Sequence, residues 1–163
     1  MFVRSLGFGR GQRVGVDRTV DAYARRLAAR ALVGAGVIRQ DGGYDHDVSA
    51  AVFDQVVGEA GKRARTRKSS VTAQKRALVK LEREPLSRVA PLFLNAEWLA
   101  GSLGLTDVER AVFEFVLMAD CSPVLARALA LCEGCTSVEE IVATALCLEL
   151  AAVRETLDRK SVV

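Results

Sequence analysis

Apolar residues recur along this chain at three- and four-residue intervals and seldom alternate, so the pattern predicts helices from end to end. The first predicted helix covers 17–37, with Val20, Tyr23, Ala24, Leu27, Ala28 and Leu32 on one side. Gly34 and Gly36 weaken its end, and the run QDGGYD at 40–45 reads as a turn. A second helix is predicted over 47–60, with Val48, Ala51, Val52, Val56 and Val57 together. The third, over 70–84, is amphipathic, with Val71, Leu78 and Leu81 as its apolar positions. Arg76, Lys80 and Arg83 fall at i, i+4 and i+7 on it and form one basic ridge. Pro85 and Pro91 bracket an irregular connector.

The second half is better punctuated. Asn95 is placed as the N-cap of a helix through Leu103 that buries Trp98 and Leu99, and Gly104 suits the left-handed position after it. Thr106 and Glu109 form a capping box, in which each side chain satisfies a free N–H near the other. The helix that follows carries Val108, Ala111, Val112, Phe115, Val116 and Ala119 on one stripe. Phe113 and Leu117 lie on its other side, so it is expected to be covered all round. Ser122-Pro123 starts another helix with Ser as N-cap and Pro at N1, and Gly134 ends it. A second capping box, Ser137 with Glu140 or Thr136 with Glu139, opens a helix carrying Val138, Ile141, Val142, Ala145 and Leu146. After a break near 147–149 a short last helix carries Leu150, Val153 and Leu157. Ser161-Val162-Val163 suits the beginning of a strand.

The fold class expected is therefore all-α, a bundle of about seven or eight helices. Its C-terminal pair resembles a helix-turn-helix leading into a wing. At 163 residues such a chain can bury a core without disulfides or metal. Three parts are expected: a flexible basic arm over 1–15, a helical subdomain over 16–90 and a second over 91–163. No apolar run reaches the roughly 20 residues of a membrane span, and the arm has no secretory core, so the cytoplasm is the expected location.

Charge changes this picture more than composition does. The net charge is +3, yet residues 60–90 hold 10 bases against 2 acids, and residues 95–163 hold 5 bases against 11 acids. The basic block, Lys62, Arg63, Arg65, Arg67 and Lys68 followed by the ridge Arg76, Lys80 and Arg83, is the candidate surface for a polyanion or a partner. No aromatic residue interleaves with it, which argues against stacking on single-stranded bases. The alternative use of the block is to dock on the chain's own acidic half.

Candidate chemistry is sparse. Cys132 and Cys135 form a CxxC, but Cys121 and Cys147 are single, whereas zinc sites present two close ligand pairs. A redox CxxC opens a helix, and this one closes one. His46, the only histidine, lies between Asp45 and Asp47 and reads as a solvated first turn. Gly58, Gly61 and Lys62 lack phosphate-loop spacing, and the glycines at 7, 9, 11 and 15 lack dinucleotide-loop spacing. The expectation is no catalytic constellation, no cofactor and no metal. On the last helix Arg154 is outnumbered by Glu149, Glu155 and Asp158, which disfavours DNA reading there.

Residues 95–120, with the helix pair after residue 137, resemble the region upstream of the ATPase core in bacterial AAA-type ATPases. The residues that carry the likeness are Asn95, Leu99, Leu103-Gly104-Leu105, Thr106, Glu109-Arg110 and 113–117. Walker A and B segments are missing, so no nucleotide-site residue is implied. The resemblance implies a non-catalytic accessory region that recruits a protein partner or substrate, with the cognate ATPase module as neighbour. The alternative is a small nucleic-acid-binding regulator using the basic block and the helix-turn-helix-like C-terminus.

Overall fold

The computed structural model describes residues 17–38, 52, 54–57 and 70–160. These residues form an all-α bundle: α1 (Arg18–Gly34), α2 (Ser70–Arg83), α3 (Pro91–Ser102), α4 (Asp107–Cys121), α5 (Pro123–Cys132), α6 (Val138–Leu146) and α7 (Leu150–Lys160). Residues 52 and 54–57 are also helical, which falls within the helix expected over 47–60. Among the described residues there is no strand, and residues 161–163, where a wing would begin, lie outside them.

α1 is the axis of the bundle. Its small residues Ala24, Ala28 and Ala31 let other helices approach closely, and Val20, Leu27 and Leu32 fill the space between. It packs along α5 and α6, with α2 and α4 also against it. One apolar core therefore joins Leu27 and Leu32 to Val112, Phe115, Met118, Leu125, Ile141, Val142 and Val153, and so spans both sides of residue 90. Each fully buried large side chain contributes about 1.5–3 kcal/mol by leaving water.

Arginines on the outer side of α1 fasten what surrounds it. Arg25 pairs with Asp21 at 2.6 Å and donates to the Gln55 carbonyl. Arg26 donates to the Leu81 carbonyl from Nε at 3.0 Å and from one terminal nitrogen at 2.8 Å, and to the Glu84 carbonyl, which satisfies the free carbonyls at the end of α2. Arg30 grips Glu82 through two bonds of 2.8 Å and reaches the Ala145 carbonyl at 3.3 Å. The Glu82 bonds, with its charge, outweigh partial burial and raise the Arg30 pKa above its ordinary value.

The helix ends follow local chemistry. Asp17 caps α1 through the Thr19 N–H at 2.8 Å and hydroxyl at 2.6 Å, which holds its carboxyl below the usual range. The Thr106–Glu109 box is closed: Glu109 accepts from the Thr106 N–H at 2.8 Å, and Thr106 accepts from the Glu109 N–H at 3.3 Å. Ser122 caps α5 with Pro123 at its start. At α6 the structure selects Ser137 with Glu140. α3 ends in a left-handed Gly104 (φ 64°), with Leu105 N–H on the Ala100 carbonyl at 3.0 Å and Gly104 N–H on that of Gly101 at 3.2 Å.

Three expectations about α3 and α4 are corrected. Asn95 is not an N-cap: the cap is Ala90, five residues earlier, with Pro91 at N1, because proline's fixed φ suits a first turn and its missing N–H is not needed there. Trp98 and Leu99 are not buried. α3 turns Phe93, Ala96 and Ala100 inward, leaving Trp98 70% and Leu99 39% exposed. α4 is not covered all round, since Val116 is 57% exposed while Glu114 is buried.

Candidate functional site

Of the eight basic residues expected to form a binding surface, Lys62, Arg63, Arg65, Arg67 and Lys68 lie outside the described residues, as does His46. Arg76, Lys80 and Arg83 are exposed on α2, and none of them makes an ion pair among the described residues. Their side chains follow from the opposite side of the helix: Ala77 and Leu81 are buried, so positions 76, 80 and 83 turn to solvent.

Arg88, the last base of the block, behaves differently. It donates to both carboxylate oxygens of Glu114, at 2.5 and 2.6 Å, and lies over the Phe93 ring at 5.1 Å. Phe93 in turn meets Tyr23 edge-on, with centroids 5.6 Å apart. This chain of contacts ties the connector, α3 and α4 to α1. Burial works against the Arg88 charge, but the Glu114 bonds and charge outweigh it and raise its pKa. A part of the basic block thus does dock on the acidic half.

The cysteines are spread over three helix ends, and all four are free. Cys132 and Cys135 sit at the two ends of a type II turn, with Glu133 at φ −58°, ψ 127°, Gly134 at φ 84° and a 3.0 Å bond from the Cys135 N–H to the Cys132 carbonyl. Burial, with the nearby Cys135, pushes the Cys132 thiol up to about 11. Burial also pushes the Cys121 thiol up, helped by Asp120. Among the described residues no group of three or more His, Cys, Asp or Glu is placed to hold a metal ion. In the native chain, thiol reagents are expected to modify exposed Cys121, Cys135 and Cys147 readily and Cys132 only on unfolding. Mass spectrometry of timed alkylation reads this, and four equally fast thiols would contradict the packing of Cys132.

A shallow cleft of about 290 Å³ lies between α6 and α7, lined by Glu140, Ala143, Thr144, Cys147, Leu148 and Leu150. Cys147 closes α6 in a left-handed conformation (φ 55°), which costs a residue with a side chain roughly 1–2 kcal/mol. The Glu140 carboxylate at its rim already accepts from the Thr136 hydroxyl and the Ser137 N–H, bonds that hold its pKa below the usual value.

Exposed large apolar side chains gather on and beside α3. Leu94 (52% exposed), Trp98 (70%) and Leu99 (39%) on α3 and Leu103 (64%) at its C-cap stand out from the bundle, interspersed with exposed Asn95, Glu97, Gly101 and Ser102. Leu94 and Trp98 are one turn apart, as are Leu99 and Leu103, so each pair is aligned on the helix. α3 contacts the bundle chiefly through α4, which leaves these side chains free. Sequence reasoning missed it because α3 is apolar on almost every side.

Comparison with protein-family models, curated proteins and solved structures finds no match to this chain. The described residues contain no single helix long and apolar enough to cross a membrane. α4 and α5 pass such a test only as a pair bent by 105°.

Proposed function

We propose that this chain is a non-catalytic interaction domain, an accessory region of an AAA-type ATPase in the cytoplasm that recruits a protein partner. The observation that carries the reading is the bare outer half of α3, with Trp98 70% exposed. Exposed apolar area that stands together, unlike scattered single residues, marks protein contact, and tryptophan is the residue most enriched at binding hot spots. The resemblance to the region upstream of AAA-type cores lies on the same helix and on α4. The test is affinity purification of the full chain from its own cells, followed by mass spectrometry. An AAA-type ATPase enriched with the native chain and lost with Leu94→Glu/Trp98→Glu, at unchanged helicity, is the expected result. Equal recovery with both chains contradicts the reading.

A second reading, a nucleic-acid-binding regulator, is favoured by the exposed ridge on α2, which makes no ion pair among the described residues. If it holds, duplex DNA binding weakens steeply with salt. Arg76→Gln/Lys80→Gln/Arg83→Gln then lowers the log–log salt slope by roughly 2 to 3, close to one per phosphate contact removed. No DNA retention at low salt sinks this reading. The acids Glu149, Glu155 and Asp158 on and beside α7 disfavour phosphate contact there and so support α2 for this reading.

A further inference from the structure

We infer that Cys132 and Cys135 are a redox clasp, a site at which a small-molecule disulfide such as oxidised glutathione is exchanged for a disulfide across the turn between α5 and α6.

Three observations place the two sulfurs for that bond. Cys132 and Cys135 are the first and fourth residues of a turn closed by the 3.0 Å bond from the Cys135 N–H to the Cys132 carbonyl. Such a turn holds the Cα atoms of its end residues within about 7 Å, and a disulfide spans Cα atoms roughly 4.4–6.8 Å apart. Gly134 supplies the positive φ (84°) that the third position of the turn requires, so the chain reaches this geometry without strain. The Cys135 thiol also turns back over α5: it donates to the Leu131 carbonyl at 3.7 Å, beside Cys132 in the last turn of that helix. Cys121 and Cys147 are each more than ten residues from this turn and share none with it.

Burial gives the two thiols different parts. Cys135 is exposed and Cys132 is fully buried, so an oxidant in solution meets Cys135 first. The Cys135 thiol gives its proton to water, and its sulfur attacks one sulfur of glutathione disulfide. The S–S bond of the small molecule breaks, one glutathione thiolate leaves, and a mixed disulfide stands on Cys135. Cys132 then loses its proton and attacks the Cys135 sulfur, and the second glutathione thiolate leaves. Two cysteine thiols have given up two electrons and two protons, and one glutathione disulfide has become two glutathione thiols. The Cys132 thiol, held up at about 11, is a poor leaving group, so attack on Cys135 reopens the clasp slowly.

The pair closes α5 and does not open a helix, so it lacks the arrangement of a catalyst that oxidises other proteins. What closure changes is local. It ties the last residue of α5 to the segment that leads into the Ser137 cap of α6, and both helices pack along α1. Oxidation therefore stiffens the joint between two helices seated on the axis of the bundle.

The experiment equilibrates the full chain with graded mixtures of reduced and oxidised glutathione, in buffer and in concentrated urea. Acid quenching, alkylation and peptide mass spectrometry then locate each thiol and disulfide. The expected product is about 2 Da lighter than the reduced chain, with its disulfide between Cys132 and Cys135. Because the folded turn holds the pair together, half-oxidation of the native chain is expected at a glutathione disulfide level at least about tenfold lower than in urea. Cys132→Ala keeps a small apolar group in the core and leaves a glutathione mixed disulfide standing on Cys135. Cys135→Ser changes only an exposed position, and the 2 Da loss disappears with Cys132 left as a thiol. A native chain that stops at the mixed disulfide overturns the inference. So does half-oxidation that is no easier in the folded chain than in urea, or a disulfide that maps to any other pair.

Discussion

Arg88→Ala is expected to destabilise the native chain by about 3 kcal/mol, seen as a lower denaturant midpoint at unchanged slope. The Glu114 side chain is only 4% exposed, and Arg88 is the cation that reaches it, through bonds to both oxygens. Removing one partner of such a pair leaves a carboxylate in the core without compensation. Arg88 is itself 54% exposed, so water entering the vacated space softens the loss, which sets the estimate at the lower end for buried pairs. Loss of the contact over Phe93 adds to it. The companion variant decides the cause. Arg88→Met with Glu114→Leu replaces both charges by apolar groups of similar size and is expected to recover most of the loss. A double variant as unstable as Arg88→Ala would contradict the view that the loss comes from leaving the Glu114 carboxylate buried without its cation.

Gly34→Ala is expected to lower stability by about 2 kcal/mol, or to lower the melting temperature by roughly 5 °C. Alanine is ordinarily the better helix residue, so an unobstructed site would gain stability. Here a Cβ would lie 2.3 Å from Cγ2 of Thr144 and 3.0 Å from its Cβ. Threonine is stiff at χ1, so the side chain cannot swing clear of both contacts. α1 must then lift from α6, one of its two principal neighbours. Thr144→Ala removes Cγ2 and Oγ1, and added to Gly34→Ala it is expected to restore most of the loss. A Gly34→Ala chain more stable than the native one would contradict the seating of α1 on α6.

Much of this fold is legible in local chemistry. Thr106 with Glu109, Ser137 with Glu140, Ser122 before Pro123, and Gly104 all act within a few residues of themselves, so sequence places them where they stand. The ridge of Arg76, Lys80 and Arg83 is legible for the same reason, since helical spacing fixes which residues share a side. Long-range choices are not legible. Glu114 reads as a polar break in an apolar helix, and its burial depends on a cation 26 residues upstream. Arg26 and Arg30 read as solvated charge, yet they hold the end of α2 from more than 50 residues away. α3 is the sharpest case. PLFLNAEWLAGS is apolar on nearly every side, so its period does not say which side faces the core. Long-range packing decides it: Phe93, Ala96 and Ala100 are buried, Phe93 against Tyr23 of α1 and under Arg88, and Trp98 is left outward. The candidate docking surface was hidden in the sequence because large apolar residues read as core.

The outer face of α3 is proposed to be where this chain meets another protein. The most direct measurement is site-specific photo-cross-linking in the chain's own cells, with a benzophenone amino acid in place of Trp98 or, as a control, in place of exposed Arg154 on α7. Protein adducts to an AAA-type ATPase are expected from position 98, and none from position 154. Adducts from position 154 with none from position 98 would contradict it.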